Sequence, residues 1–116
     1  MTKNQIPKTL SKFGYSKEGV EPLPQMNQEI VDEVMAFTSN YFDKSQRINP
    51  NHSSYGLKHF VENRIGKYVG NGELIAGMIL AGFRYKQDAI NAEFNVSESS
   101  YKSAIGLPVL YNNFKI

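Results

Sequence analysis

Two histidines, His52 and His59, are the only imidazoles in this chain of 116 residues, which also contains no cysteine. A catalytic zinc ion usually takes three protein ligands, so a carboxylate such as Glu62 or Asp43 would have to join them, and nothing in the spacing supports that set. Neither histidine stands near a nucleophile-elbow motif, and the serines occupy positions typical of helix caps. We therefore predict a non-enzymatic protein without a metal or cofactor.

The glycine-rich run VGNGE at 69–73 invites comparison with phosphate-binding loops, since glycine lets a backbone approach an anion at the start of a helix. The dinucleotide-binding fingerprint would need a glycine where Ile75 stands, and the nucleotide-binding P-loop would need a lysine where Met78 stands. A tight turn between two helices accounts for these glycines without a ligand.

Basic side chains are the remaining candidates for chemistry, because Lys and Arg contact the phosphates that dominate nucleic-acid affinity. Between Lys58 and Lys86 the chain has five basic residues against two acids, Glu62 and Glu73. The candidate contacts are Lys58, Arg64, Lys67, Asn71, Arg84 and Lys86.

Composition describes an ordinary globular chain, with 41% hydrophobic residues, 21% charged residues and a net charge of +2. The length suits one domain. Lysines without acids in the first seventeen residues predict a basic, partly extended N-terminal arm over 1–26, followed by a single domain over 27–116. The absence of cysteine and of any apolar run long enough to cross a bilayer predicts a cytoplasmic protein with no membrane partner.

The first helix is predicted from a cap at Asn27 to about Asp43, because apolar residues recur at helical spacing and acids fill the first turns. The sequence Asn-Pro-Asn at 49–51 then predicts a break in the chain, since proline restricts the residue before it and asparagine suits turns.

The second helix is predicted to begin after Ser53 or Ser54 and to end at Gly66, a residue type that readily adopts the left-handed conformation. The face that carries Lys58 and Arg64 lacks large apolar residues, so we expect it to face solvent.

The third helix is predicted over 72–81, with Asn71 as its cap and Glu73 as its only charge. Apolar side chains surround its axis, so this helix should be mostly buried. Gly77 lowers helix propensity by about 1 kcal/mol relative to alanine, which suggests that another backbone crosses close to it. The helix has no Arg, Lys or Gln inside it to read a base edge in a groove.

Alternating apolar and polar residues at 83–86 and 92–96, separated by turn residues at 88–91, predict a β-hairpin. Ser97 can cap a last short helix, and the tail at 109–116 is apolar enough to pack back on the domain. The residues expected to face inward from the hairpin are Phe83, Tyr85, Phe94 and Val96.

This order of elements predicts an α+β, mainly helical fold of the winged helix-turn-helix type, with a two-stranded β-hairpin as its wing. In such a domain the third helix enters the major groove and the wing lies along the backbone.

Several segments of the chain carry a resemblance to other proteins: SSYGLKH at 53–59, Glu62, YVGNGELI at 68–75, AGF at 81–83 and FNVS at 94–97. They resemble a loosely defined group of small uncharacterised proteins carried by bacterial phages, plasmids and integrated elements. The resemblance implies a bacterial or phage origin and a role in regulating an element's genes or in blocking a host defence nuclease.

Two functional hypotheses follow. The first is a non-enzymatic accessory or regulatory protein of a mobile genetic element that binds duplex DNA, mainly through phosphate contacts. The alternative is a small inhibitor of the anti-CRISPR or anti-restriction type, which binds a host protein through spare apolar residues of the third helix or through an acidic surface. Either hypothesis is compatible with a homodimer.

Overall fold

A computed structural model describes residues 6–7, 9–15 and 25–106 of the chain. Its elements are β1 (Leu10–Ser11), β2 (Gly14–Tyr15), α1 (Gln28–Tyr41), β3 (Lys44–Ser53), α2 (Ser54–Ile65), α3 (Asn71–Leu80), β4 (Tyr85–Asp88), β5 (Asn91–Val96) and α4 (Glu98–Ile105). The strands form two small antiparallel sheets. Helices α1 and α2 pack against α3, and α4 packs against α1. The predicted α+β class is confirmed. The predicted packing of the tail at 109–116 lies outside the described residues.

The centre of the fold is α3, of whose ten residues nine are buried. Helix α1 crosses α3 at Gly77, where an added Cβ would lie 2.5 Å from Val34 Cγ1 and 3.0 Å from the Val31 carbonyl oxygen. Only a residue without a side chain allows this approach of the two helices. The expectation of a buried third helix with a close crossing at Gly77 is therefore confirmed.

The predicted helix boundaries are confirmed where local chemistry sets them. The side chains of Asn27, Ser53 and Ser97 each accept a hydrogen bond from a backbone N–H in the first turn of α1, α2 and α4. Helix α2 ends at Gly66, whose φ of 75° is in the left-handed region. The predicted cap of α3 is wrong, since Asn71 is its first helical residue.

The start of α3 is capped by the buried carboxylate of Glu73. One oxygen accepts the Gly70 N–H at 2.8 Å, and the other accepts the Asn27 N–H at 2.6 Å. Because Asn27 also caps α1, this carboxylate ties the first turns of α1 and α3 together. Glu73 is only 1% exposed, and the hydrogen bonds from these two N–H groups compensate for the cost of burying its carboxylate.

The larger sheet has the strand order β3-β5-β4. Strands β4 and β5 form the predicted hairpin, with Asp88 opposite Asn91 and a connection of Ala89 and Ile90. Tyr85 was expected to face the core, but its side chain is 38% exposed. The reason is that β4 is an edge strand whose four residues are all exposed, while buried residues of β5 cover the core.

Strand β3 contradicts the predicted break at 49–51, because these residues lie within it. An edge strand tolerates Pro50, since a missing N–H there disturbs no central ladder. The register moves from Lys44 opposite Val96 to Asn49 opposite Phe94, so several residues of β3 bulge between these pairs. This bulge brings the residues at 45–48 to one end of the sheet.

Strands β1 and β2 form a hairpin that covers the start of α3. Leu10 and Tyr15 are each only 6% exposed, and the Gly72 N–H donates to the Lys12 carbonyl at 2.8 Å. The described residues at 10–15, which fall in the predicted arm, thus pack on the same core as the helices. No helix in the described parts of the chain is both long and apolar enough to cross a membrane.

Candidate nucleic-acid interface

Lys58 is the first predicted contact, and the structure places it away from solvent. The residue is 6% exposed, and its ammonium lies 3.3 Å from Glu62 Oε1 and 4.8 Å from the centre of the Tyr68 ring. The expectation of a solvent-facing Lys58 was therefore wrong. The turn that follows α2 folds Tyr68 over this side of the helix, which the periodicity of α2 alone does not reveal.

Arg64 and Lys67 already have partners within the fold. Arg64 Nη2 donates to the Ile105 carbonyl at 2.8 Å, and its guanidinium lies 4.9 Å from the centre of the Phe60 ring. This hydrogen bond satisfies a carbonyl at the end of α4. Lys67 Nζ lies 2.6 Å from Glu33 Oε2, and that hydrogen bond and charge raise the pKa of the lysine.

Asn71 was expected to present the start of the third helix to a ligand, but it is 4% exposed. Its amide donates to Asn91 Oδ1 at 2.8 Å and to the Ile90 carbonyl at 3.2 Å. The adjacent Gly72 N–H is taken by the Lys12 carbonyl. The start of α3 is therefore occupied by the protein's own chain, and Asn71 is not presented to solvent.

Arg84 and Lys86, by contrast, are exposed on and beside β4. The buried amide of Asn95 holds this end of the sheet: its Oδ1 accepts the Arg84 N–H at 2.7 Å, and its Nδ2 donates to the Ser45 carbonyl at 2.9 Å. The Arg84 guanidinium also donates to the Gln46 carbonyl. The bulge of β3 and the first residues of β4 are thus fixed side by side.

Two further cations lie at the same end and were missed from the sequence. Lys44 and Arg47 are exposed on β3, and the Lys44 ammonium lies 4.8 Å from the centre of the Phe83 ring. Little in the sequence points to them, because the residues at 44–47 are all polar and do not alternate as those of a half-buried strand do. We call the group Lys44, Arg47, Arg84 and Lys86 the basic sheet end.

The basic sheet end carries charge that the fold does not neutralise by contact. Within the described ranges, none of its members has a carboxylate oxygen within the 4.0 Å that defines an ion pair. Glu93 lies opposite Lys86 on β5, and Asp43 precedes Lys44, so the local surplus is moderate. Exposed cations of this kind are available to bind phosphate oxygens.

The histidine with the most partners, His52, joins β3 to α4. Its Nε2 lies 2.9 Å from Glu98 Oε1, and its ring lies 3.8 Å from that of Tyr101, centre to centre. Hydrogen bonds from Asn49, His52 and Asn51 lower the pKa of Glu98 to about 2. These donors keep the Glu98 carboxylate charged, and its hydrogen bonds connect β3 to α4.

In the described parts of the chain, no three or more His, Asp or Glu side chains lie together as a metal ion would require. Comparisons of the chain with known protein families, with curated proteins and with solved structures found no match. The resemblance to proteins of mobile elements therefore stays a prediction from the sequence.

The rival hypothesis placed a protein interface on spare apolar residues of the third helix. That location is wrong, because nine residues of α3 are buried and the tenth, Leu80, is partly buried. For the same reason α3 has no free face that could enter a groove of DNA. The exposed large apolar residues of the described chain lie elsewhere, at Phe13, Tyr55, Tyr68, Tyr85, Ile90 and Ile105.

Proposed function

We propose that this protein binds duplex nucleic acid without catalysis, through phosphate contacts made by the basic sheet end. One observation carries the proposal: Asn95 fixes two strands so that Arg84 and the bulge of β3 present together exposed cations that have no carboxylate within 4.0 Å among the described residues. Preordered cations lose less conformational freedom when they bind than cations on separate mobile loops do.

In this proposal the β4–β5 hairpin acts as a wing that lies along the phosphate backbone, and no helix is inserted into the major groove. The burial of α3 supports that difference from the usual docking of a winged helix. Binding should therefore depend strongly on salt and only weakly on sequence, because phosphate contacts carry no base information. The role as an accessory protein of a mobile element is part of the same proposal and rests on the resemblance.

The proposal is tested by fluorescence anisotropy with a labelled duplex of about twenty base pairs at low salt. The double variant Arg84→Ala/Lys86→Ala should bind on the order of tenfold more weakly than the wild type, because two phosphate contacts are lost. The control is Lys12→Ala/Lys67→Ala, which removes the same charge from the other end of α3 and should retain near wild-type affinity.

Two results would overturn the proposal. One is the absence of duplex binding by the wild-type chain at low salt. The other is an equal loss of affinity in the two double variants, since that would show a response to net charge rather than to the basic sheet end.

A further inference from the structure

Three exposed aromatic rings lie along one surface, which we call the aromatic strip, and the ammonium groups of Lys12 and of the buried Lys58 lie between them. Phe13, Tyr68 and Tyr55 are 55%, 56% and 55% exposed. The Lys12 ammonium lies 5.9 Å from the centre of the Phe13 ring and 5.8 Å from that of Tyr68. The Lys58 ammonium lies 4.8 Å from the Tyr68 ring and 5.8 Å from the Tyr55 ring. The strip is therefore continuous from one ring to the next.

The aromatic strip and the basic sheet end lie at opposite ends of α3. Lys12 contacts the start of α3 through Gly72, whereas Lys44 lies beside Gly82, just after α3 ends. A helix of this length spans about 15 Å, so one surface does not overlap the other. The inference below accordingly does not depend on the proposed duplex binding.

Polar contacts of the partly buried Glu62 carboxylate hold the strip in place. Glu62 accepts hydrogen bonds from the Val69 N–H at 3.1 Å and from Lys58 at 3.3 Å, and it lies 2.9 Å from His59 Nδ1. Burial raises the pKa of Glu62, but these hydrogen bonds outweigh burial and bring it below its usual value. The carboxylate therefore fixes the turn that carries Tyr68 against the helix that carries Tyr55.

Outside the rings, the surface offers polar groups to a ligand. Beside Tyr68 lies an open groove of about 580 Å³ whose lining includes Glu62, Asn63 and Lys67, and Lys67 is already paired with Glu33. Lys12 has no carboxylate within 4.0 Å in the described ranges, whereas Lys58 is paired with Glu62. Within those ranges Lys12 thus supplies a positive charge without a carboxylate partner, and Lys58 mainly spaces the rings.

We propose that the aromatic strip binds single-stranded nucleic acid, with bases stacked on Phe13, Tyr68 and Tyr55 and a phosphate bound by Lys12. Exposed rings on either side of the Lys12 ammonium, with a third ring beyond them, complement a ligand in which planar bases alternate with anionic phosphates. A duplex does not fit this surface, because its bases are already stacked inside the helix. Stacking should dominate, so salt should weaken this binding much less than it weakens binding at the basic sheet end.

The test uses fluorescence anisotropy with an oligothymidine of about twelve nucleotides and an abasic oligonucleotide of equal length. The wild type should bind oligothymidine at least about tenfold more tightly than the abasic strand, because each stacked base contributes. Tyr68→Ala should weaken oligothymidine binding about tenfold. Tyr68→Phe should retain the affinity, because the ring is kept.

The matched control is Tyr85→Ala, since Tyr85 is another partly exposed tyrosine but lies on β4, outside the strip. Its affinity for oligothymidine should equal that of the wild type, and circular dichroism checks that each variant is folded. Equal binding of the abasic strand, no binding of oligothymidine, or an equal loss in Tyr85→Ala would overturn the inference. The variant Arg84→Ala/Lys86→Ala separates the two proposals, because its duplex binding should weaken on the order of tenfold while its oligothymidine binding is retained.

Discussion

The same substitution at two glycines should change stability in opposite directions. Replacing glycine by alanine inside a helix raises the free energy of unfolding by up to about 1 kcal/mol, because alanine has the higher helix propensity. At Gly56 in α2 an added Cβ would meet no atom closer than Ser53 Oγ at 4.0 Å, so Gly56→Ala should be stabilising. At Gly77 the added Cβ would lie 2.5 Å from Val34 Cγ1 and 2.6 Å from Val34 Cβ, so Gly77→Ala should be destabilising.

The magnitudes follow from the local space. Overpacking a close contact costs about 1–3 kcal/mol, and here the crossing helix must move because the Val31 carbonyl oxygen also lies 3.0 Å away. After the gain in propensity, Gly77→Ala should lower the free energy of unfolding by about 2 kcal/mol. Gly56→Ala should raise it by about 0.5–1 kcal/mol. The two variants should therefore differ by roughly 3 kcal/mol.

Urea denaturation followed by circular dichroism measures both values with one protocol. Adding Val34→Ala to Gly77→Ala should recover part of the loss, because it removes Cγ1 but leaves Cβ, and a double-mutant cycle reports the coupling. Equal or greater stability of Gly77→Ala relative to the wild type would refute the reasoning, since α1 could not then cross α3 at this distance.

Two further substitutions test buried or fixed carboxylates. Glu73→Gln should lower the free energy of unfolding in urea by about 1–3 kcal/mol, because an amide has one acceptor oxygen for the N–H groups of Gly70 and Asn27; unchanged stability would contradict that role. Above pH 4.5, Glu98→Gln should have a lower free energy of unfolding than the wild type. The difference should vanish as pH falls towards about 2, because Glu98, whose pKa is lowered, stabilises the fold only while it is ionised. A difference that persists at low pH in urea titrations would count against this contribution.

The helices could be predicted because their signals are local. The caps at Asn27, Ser53 and Ser97 act within one turn, and the unbroken apolar surface of α3 indicates burial without knowledge of its neighbours. The hairpin that carries Arg84 was predictable for the same reason, since its alternation and turn lie within a short segment.

Strand β3 and its cations could not be predicted in this way. Its residues are polar and include Pro50, and it is held by bonds to distant residues, such as that from the Asn49 amide to the Val96 carbonyl at 3.0 Å. The burial of Lys58 and Asn71 likewise depends on Tyr68 and on the β4–β5 turn, which approach only in the folded chain. Periodicity within one segment carries no information about such contacts.

The salt dependence of duplex binding tests the central claim most directly, because its slope reports the number of phosphate contacts. Anisotropy titrations over several salt concentrations should give a slope of log K against log salt of about −3 to −4 for the wild type, if the basic sheet end makes three or four contacts. In Arg84→Ala/Lys86→Ala the slope should be shallower by about 2. A wild-type slope near zero, or the same slope in both proteins, would contradict the claim.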